Sequence, residues 1–173
     1  MPSSFVKHCK NCPYNPANSQ ERDVPSPIAH SPLSLEANAT STLLIFQAPG
    51  ADEWKACKPI CSDNPWSAAA RIRNALSRLG KEREEFSITN ATQCYPGESK
   101  SGRDRPPTAS ARRHCASWLK EDIESSAFSK IIVFGRSAKQ SVTELGCASD
   151  PRFLFLPHPS GGLSNADLDS ALR

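Results

Sequence analysis

The chain has 173 residues, which at roughly 150 residues per domain argues for one domain spanning 1–173. Its 21 Lys+Arg against 18 Asp+Glu give a net charge of +3, and an apolar fraction of 38% fits a soluble chain with a modest core. No apolar run approaches the roughly 18 residues of a membrane span, and Met1 to Lys10 lacks the apolar stretch of a secretory leader, so neither a membrane partner nor secretion is expected. Thiols stay reduced inside cells, and seven cysteines are an odd number, so a disulfide framework is not expected and metal binding becomes the reading to follow.

The N-terminal arm carries six of the 15 prolines within its first 32 residues, which argues against regular structure. Within it, Cys9-Lys10-Asn11-Cys12 is a CxxC turn that can point two thiolates at one metal. Alone it leaves a redox motif, a zinc site and an iron–sulfur cluster open. The stretch from Asn18 to Ser41, rich in Ser, Pro and Ala, reads as a loose surface excursion. Thr42 to Phe46 is a short apolar run stopped by Pro49-Gly50, a buried strand. Trp66 to Leu79 places Ile72, Ala75, Leu76 and Leu79 at helical spacing, with Gly80 as the stop. Phe86 to Asn90 is a second strand, with Cys94 just beyond it. Thr108 to Ile123 is a second helix with Thr108 as N-cap and Cys115 in its first half. Lys130 to Phe134 is a third strand, followed by Gly135 and a helix to Leu145; Arg152 to Leu156 is a fourth strand, and Asn165 to Leu172 a closing helix.

Apolar strands alternating with helices predict an α/β fold, three layers deep, around a central four-stranded, mostly parallel sheet. Ligands of such sheets sit beyond the C-terminal strand ends. Those ends are Gln47-Ala48-Pro49-Gly50, Asn90-Ala91-Thr92-Gln93, Gly135-Arg136-Ser137 and Pro157-His158-Pro159-Ser160. Polar side chains on proline- or glycine-bent backbone are what a small-molecule pocket needs. A zinc ribbon would require a second CxxC, which is absent, whereas four cysteines gathered from three places suit a cubane cluster. The positive charge is concentrated: Arg71 to Arg113 holds ten Lys/Arg and five acids, as phosphate binding requires.

The ordered set Gln47-Ala48-Pro49-Gly50, Ile88-Thr89-Asn90-Ala91-Thr92-Gln93-Cys94, Ile132-Val133-Phe134-Gly135 with Ala138, and His158-Pro159-Ser160 resembles the uracil-DNA glycosylase superfamily, most of all its family 4 branch, which carries an iron–sulfur cluster. The resemblance runs in order from Cys9 to about Ser160, apart from the excursion. It implies Cys9, Cys12, Cys94 and Cys115 as [4Fe–4S] ligands: Cys94 lies four residues after the strand-end Asn90, and Cys115 follows the Arg105-Pro106-Pro107-Thr108 helix start. Cys57, Cys61 and Cys147 are left as ordinary thiols.

The resemblance further implies that His158 donates to uracil O2, where charge develops as the base leaves. Asn90 would read the uracil edge, since an amide both donates and accepts. The backbone of Gln47, Ala48, Pro49 and Gly50, with Ser160, would hold the flipped nucleotide. Leu163, after Gly161-Gly162, would be the wedge inserted into the duplex, and Lys100 to Arg105 a flexible basic loop longer than the family's usual connection.

Two departures stand out. Family 4 usually has Glu where this chain has Gln47, and the branch with Gln there follows it with a water-activating Asp, where this chain has Ala48. The nearest acids are Asp52 and Glu53, and Glu53 matches a position often acidic in the family. The base-stacking aromatic is also replaced: Ile60 aligns with it, and Trp66 a few residues on is the other candidate. The expected protein is a monomeric glycosylase acting on DNA that contains uracil or another deaminated base, placed in the cytoplasm or, in a bacterium, with the nucleoid. The rival readings are a relative with another damaged base or sugar-trapping chemistry, and a catalytically silent iron–sulfur module that binds nucleic acid.

Overall fold

The computed structural model describes residues 9–14 and 32–173. Four strands form one sheet: β1 (Thr42–Phe46), β2 (Ser87–Asn90), β3 (Lys130–Phe134) and β4 (Phe153–Leu156). Their order is β2-β1-β3-β4 and every pairing is parallel. Five α-helices lie among the described residues: α1 (Ala51–Ala56), α2 (Ala68–Leu79), α3 (Ala109–Glu124), α4 (Arg136–Glu144) and α5 (Asn165–Leu172).

Strand alternation sorts the core into two layers. Leu44, Phe46, Ile132 and Phe134 point to one face, where Ile72 and Leu76 of α2 and Leu168 and Leu172 of α5 cover them. Leu43, Ile45, Ile131 and Val133 point to the other, against Leu119 and Ile123 of α3 and Ala138 and Val142 of α4. Caps fix the helix starts. Ser67 accepts from Ala70 N–H at 3.0 Å, and Ser164 from Asp167 N–H at 3.0 Å. Thr108, the N-cap read from sequence, accepts from Ala111 N–H at 3.2 Å.

The excursion expected over 18–41 divides in two. Residues 18–31 lie outside the described residues, but 32–41 are not loose. They run along the outer edge of β2: Leu33 N–H donates to Gln93 O at 2.8 Å, and Glu36 and Ile88 exchange both backbone bonds at 2.9 and 3.0 Å. Asn38 adds a side-chain bond to Phe86 O at 2.8 Å. An edge strand presents unpaired N–H and C=O groups, and this segment covers them. Helix α1 is an addition to the elements read from sequence.

The order places the reversal of chain direction between β1 and β3, because the chain moves outward from β1 to β2 and then returns across β1 to β3. In open parallel sheets the crevice beyond the strand ends at that switch point is where ligands bind.

Candidate active site

A cleft of about 420 Å³ opens at that switch point, within the range of small-molecule sites. Its wall is the segment that leaves β1, Phe46 through Glu53; His158 and Ser160 from the end of β4 lie in the same cleft. Gln47, Ala48, Pro49, Gly50, Glu53, Ile60, Trp66, His158 and Ser160, proposed from sequence as site residues, are all brought to this one cavity. The motif backbone is tied to the strand end of β2: Ala91 N–H donates to Phe46 O at 2.7 Å and Thr92 N–H to Gln47 O at 3.0 Å.

His158 is held by its own turn. Its Nδ1 lies 2.8 Å from Ser160 Oγ and accepts from the Ser160 backbone N–H at 3.4 Å. A nitrogen that accepts from a backbone N–H carries no proton of its own, so the imidazole proton sits on Nε2. Burial pushes the His158 pKa below its ordinary value, which keeps the ring neutral. The ring packs over Gly135, where an added Cβ would lie 3.4 Å from His158 Cβ and Cδ2. Gly135 has φ +89°, a conformation that suits glycine, and its N–H bonds to Leu156 O at 2.9 Å, joining the ends of β3 and β4.

The loop expected to be flexible and basic is a tight hairpin. Glu98 and Asp104 pair across it, Ser99 N–H donates to Arg103 O at 2.7 Å, and Arg105 N–H to Gly97 O at 2.8 Å. Gly97 (φ +90°) and Gly102 (φ +72°) make its turns. The hairpin folds over the cleft and lines it with Arg103, Asp104 and Arg105, none of which stood out in the sequence as a site residue.

Three acids surround the motif backbone. Asp52 accepts from Ser62 Oγ at 2.7 Å, and Glu53 accepts the Gly50 N–H at 2.8 Å. A Cβ at Gly50 would meet Glu53 Oε2 at 2.5 Å and Asp104 Oδ2 at 2.8 Å, so a side chain there would push the two carboxylates from their places. Burial raises the Glu53 pKa, and the charge of Asp104 adds to it. Burial also raises that of Asp104, reinforced by Glu98 against the opposing pull of Tyr95 and the Ala51 backbone.

Ile60 and Trp66, the two candidates for contact with a bound base, occupy different depths. Ile60 is buried in the cleft wall with φ +48°, strained for a β-branched residue. Arg83 clamps this backbone by donating to Ile60 O at 2.7 Å and Pro59 O at 2.5 Å, and it is itself gripped by both Glu36 carboxylate oxygens at 2.7 and 2.8 Å. Trp66 stands at the rim and is 85% exposed.

Two expected site residues are placed elsewhere. Asn90 is 2% exposed at the end of β2 and does not line the cleft, although its partner in the sheet register, Phe46, does. Leu163 is 4% exposed and packs in the core beside Leu168 and Leu172; an apolar side chain at that depth cannot act as a surface wedge. The basic stretch is also largely consumed by the fold. Arg71 binds Leu163 O and Asn165, Arg73 binds Ser62 O, Arg78 binds Asp169, Lys81 pairs with Glu85, Arg83 clamps the Ile60 loop, and Arg112 pairs with Glu144.

Cys9 and Cys12 lie near Cys115 of α3. Cys9, Cys12 and Cys115 are buried, and Cys94 is half-buried. Burial pushes the Cys115 thiol up to about 12, and the nearby Cys12 and Cys9 push it the same way. Cys9 is likewise raised by burial, against a hydrogen bond with Trp118, with Cys12 adding to the rise. The described N-terminal segment is pinned to α3: Thr108 N–H donates to Tyr14 Oη at 3.0 Å. Soft thiolates brought together in this way fit an iron–sulfur cluster in donor chemistry. Among the described residues, however, no three His, Cys, Asp or Glu side chains are closed around a metal position.

The fold and cleft define a parallel α/β protein with a ligand site at the switch point, served by a neutral histidine and flanked by buried carboxylates. Residues 35–172 match the model of the uracil DNA glycosylase superfamily, and the chain belongs to that superfamily. It is 26% identical over 141 residues to the type-4 uracil-DNA glycosylase of Pyrobaculum aerophilum, covering 82% of this chain and 62% of that protein. It is 27% identical over 103 residues to the type-4 uracil-DNA glycosylase of Archaeoglobus fulgidus, covering 60% of this chain and 47% of that protein. The matched part therefore spans less than two thirds of either relative. Among the described residues, no helix is long and apolar enough to cross a membrane.

Proposed function

We propose that this chain hydrolyses the N-glycosidic bond of a deaminated base, uracil first among them, flipped out of DNA into the cleft. The observation that carries the reading is His158: a neutral imidazole, its tautomer set by Ser160, in a cleft at the strand ends. The proton on Nε2 is a donor for uracil O2, where negative charge grows as the bond to C1′ breaks. A pre-set donor of this kind is often the largest single contribution to such a reaction. Phe46 and Ile60 give the base an apolar wall, and Trp66 at the rim offers a stacking surface. Arg103 and Arg105 place positive charge at the cleft for the DNA backbone.

Cys9, Cys12, Cys94 and Cys115 are the residues that would hold a [4Fe–4S] cluster. When bound, it would supply a structural cross-link between the N-terminal segment, α3 and the start of the hairpin. The cleft chemistry belongs to His158 and its neighbours. The reading is tested on a uracil-containing oligonucleotide treated with the protein and then with alkali. Strand cleavage at the uracil position is expected, and an uncut strand with the wild-type protein would overturn it.

A further inference from the structure

The motif loop lacks both carboxylates expected of it: Gln47 and Ala48 stand in their places. Hydrolysis still needs a group that takes a proton from water as it adds to the sugar. Of the three acids around the motif backbone, Asp52 is engaged by Ser62 and Glu53 by the Gly50 N–H. Asp104 accepts hydrogen bonds from Tyr95 and the Ala51 backbone but forms no salt bridge among the described residues, and it lines the cleft with its Oδ2 against Gly50. It is carried there by the hairpin from Glu98 to Asp104, whose two turn glycines and backbone bonds fix its path.

We propose that Asp104, delivered by this hairpin, is the carboxylate that activates the hydrolytic water and faces the sugar cation in the cleft. The inference rests on the glycosylase reading above. Water adds through its oxygen to C1′, and its proton passes to an Asp104 carboxylate oxygen. The C1′–N1 electron pair leaves with the base, whose anion His158 holds and which takes a proton from solvent on release. The groups around Asp104 are Tyr95 and Glu98 from its own segment, the Ala51 N–H, and the carboxylates of Asp52 and Glu53. A carboxyl raised by burial is a stronger base than an exposed one, provided it is ionised at the working pH.

Such a carboxylate carries a stability cost that a structural residue does not. An aspartate whose folded pKa lies above its ordinary 3.8 contributes most below that value, and that contribution is lost as pH rises through the folded value. Asp104→Asn keeps the shape and removes the charge, so at pH 8 it is expected to melt higher than wild type.

The test compares wild type and Asp104→Asn in three measurements: single-turnover uracil release against pH, affinity for DNA carrying a tetrahydrofuran abasic analogue, and melting temperature at pH 8. Release by Asp104→Asn is expected to fall about a hundredfold or more, and to lose the rise with pH expected of wild type above the ordinary aspartate range. Affinity is expected to stay within about twofold, with melting unchanged or raised. Wild type that releases uracil while Asp104→Asn releases it equally fast overturns the inference alone. A variant that melts lower and loses activity with it marks Asp104 as structural and also overturns it. Wild type that releases no uracil overturns the glycosylase reading, and the role of Asp104 falls with it.

Discussion

Replacing Gly135 by alanine perturbs the joint between β3, β4 and His158. Its φ of +89° and ψ of +165° lie in a region almost reserved for glycine, where another residue costs about 1–3 kcal/mol. For a chain of this size, each kcal/mol lowers the melting temperature by about 2–4 °C, so the variant is expected to melt about 2–12 °C lower. Relief of the strain by rotating φ turns the Gly135 N–H away from Leu156 O, the bond that registers the end of β4. The new methyl also lies 3.4 Å from His158 Cβ and Cδ2. Misplacing a reacting group by a full ångström costs about a hundredfold, so a shift of a few tenths is expected to slow uracil release about threefold to tenfold. Gly80→Ala is the control: Gly80 has φ +63° with nothing within 4 Å of its added Cβ. That variant should lose about 1 kcal/mol of stability with release unchanged. Calorimetry and single-turnover release on both variants decide the matter. Gly135→Ala melting with wild type, or Gly80→Ala slowing release as much as Gly135→Ala, would refute the reasoning.

Arg83→Ala removes the fork that holds the Pro59 and Ile60 carbonyls and the Glu36 carboxylate, and is expected to cost about 2 kcal/mol by urea unfolding and to raise KM for uracil DNA. Arg83→Lys should recover little, because an ammonium cannot bridge the same partners; a lysine variant equal to wild type would count against the clamp. His158 followed by NMR should titrate below 6.5 with the proton on Nε2, and because the folded state favours the neutral ring, its contribution to stability is present above 6.5 and fades as pH falls. Wild type is expected to be brown with broad visible absorbance, and Cys115→Ser to lose the colour; a colourless, zinc-loaded wild type would contradict the cluster.

Much of the fold was legible because it depends on local pattern. β1 and β3 are apolar runs with sharp stops, and Thr108 is a capping residue at the head of an amphipathic segment. Helix α1 was not legible: six residues are too few for a periodicity, and Pro49-Gly50 before it reads as a stop. The pairing of residues 32–41 along β2 escaped because main-chain hydrogen bonds leave no mark on a Ser- and Pro-rich composition. Charge was misleading for a related reason. A count of Lys and Arg cannot tell Arg78, locked onto Asp169, from Arg103, which lines the cleft.

The site divides in the same way. Motif residues held by their own short turns, such as His158 with Ser160, were found from sequence and lie in the cleft. Leu163 looked like a wedge because an apolar residue after two glycines suggests an exposed tip, yet the core takes it up. Asp104 was hidden because an acid within a basic loop resembles any solvated charge. Its place between the turn glycines and the motif exists only once the hairpin closes. The available signal was the pair Gly97 and Gly102, which marks a tight hairpin where composition suggested a flexible loop.

The most direct test of the account is the rate at which free uracil is released from DNA in a single turnover by wild type and by His158→Ala, with binding to abasic-analogue DNA measured alongside. Wild type is predicted to release uracil. His158→Ala is predicted to be slower by about 10²–10³-fold while still binding, as expected for loss of one donor at the developing oxyanion. Release by His158→Ala at the wild-type rate, or none from wild type, would contradict the account.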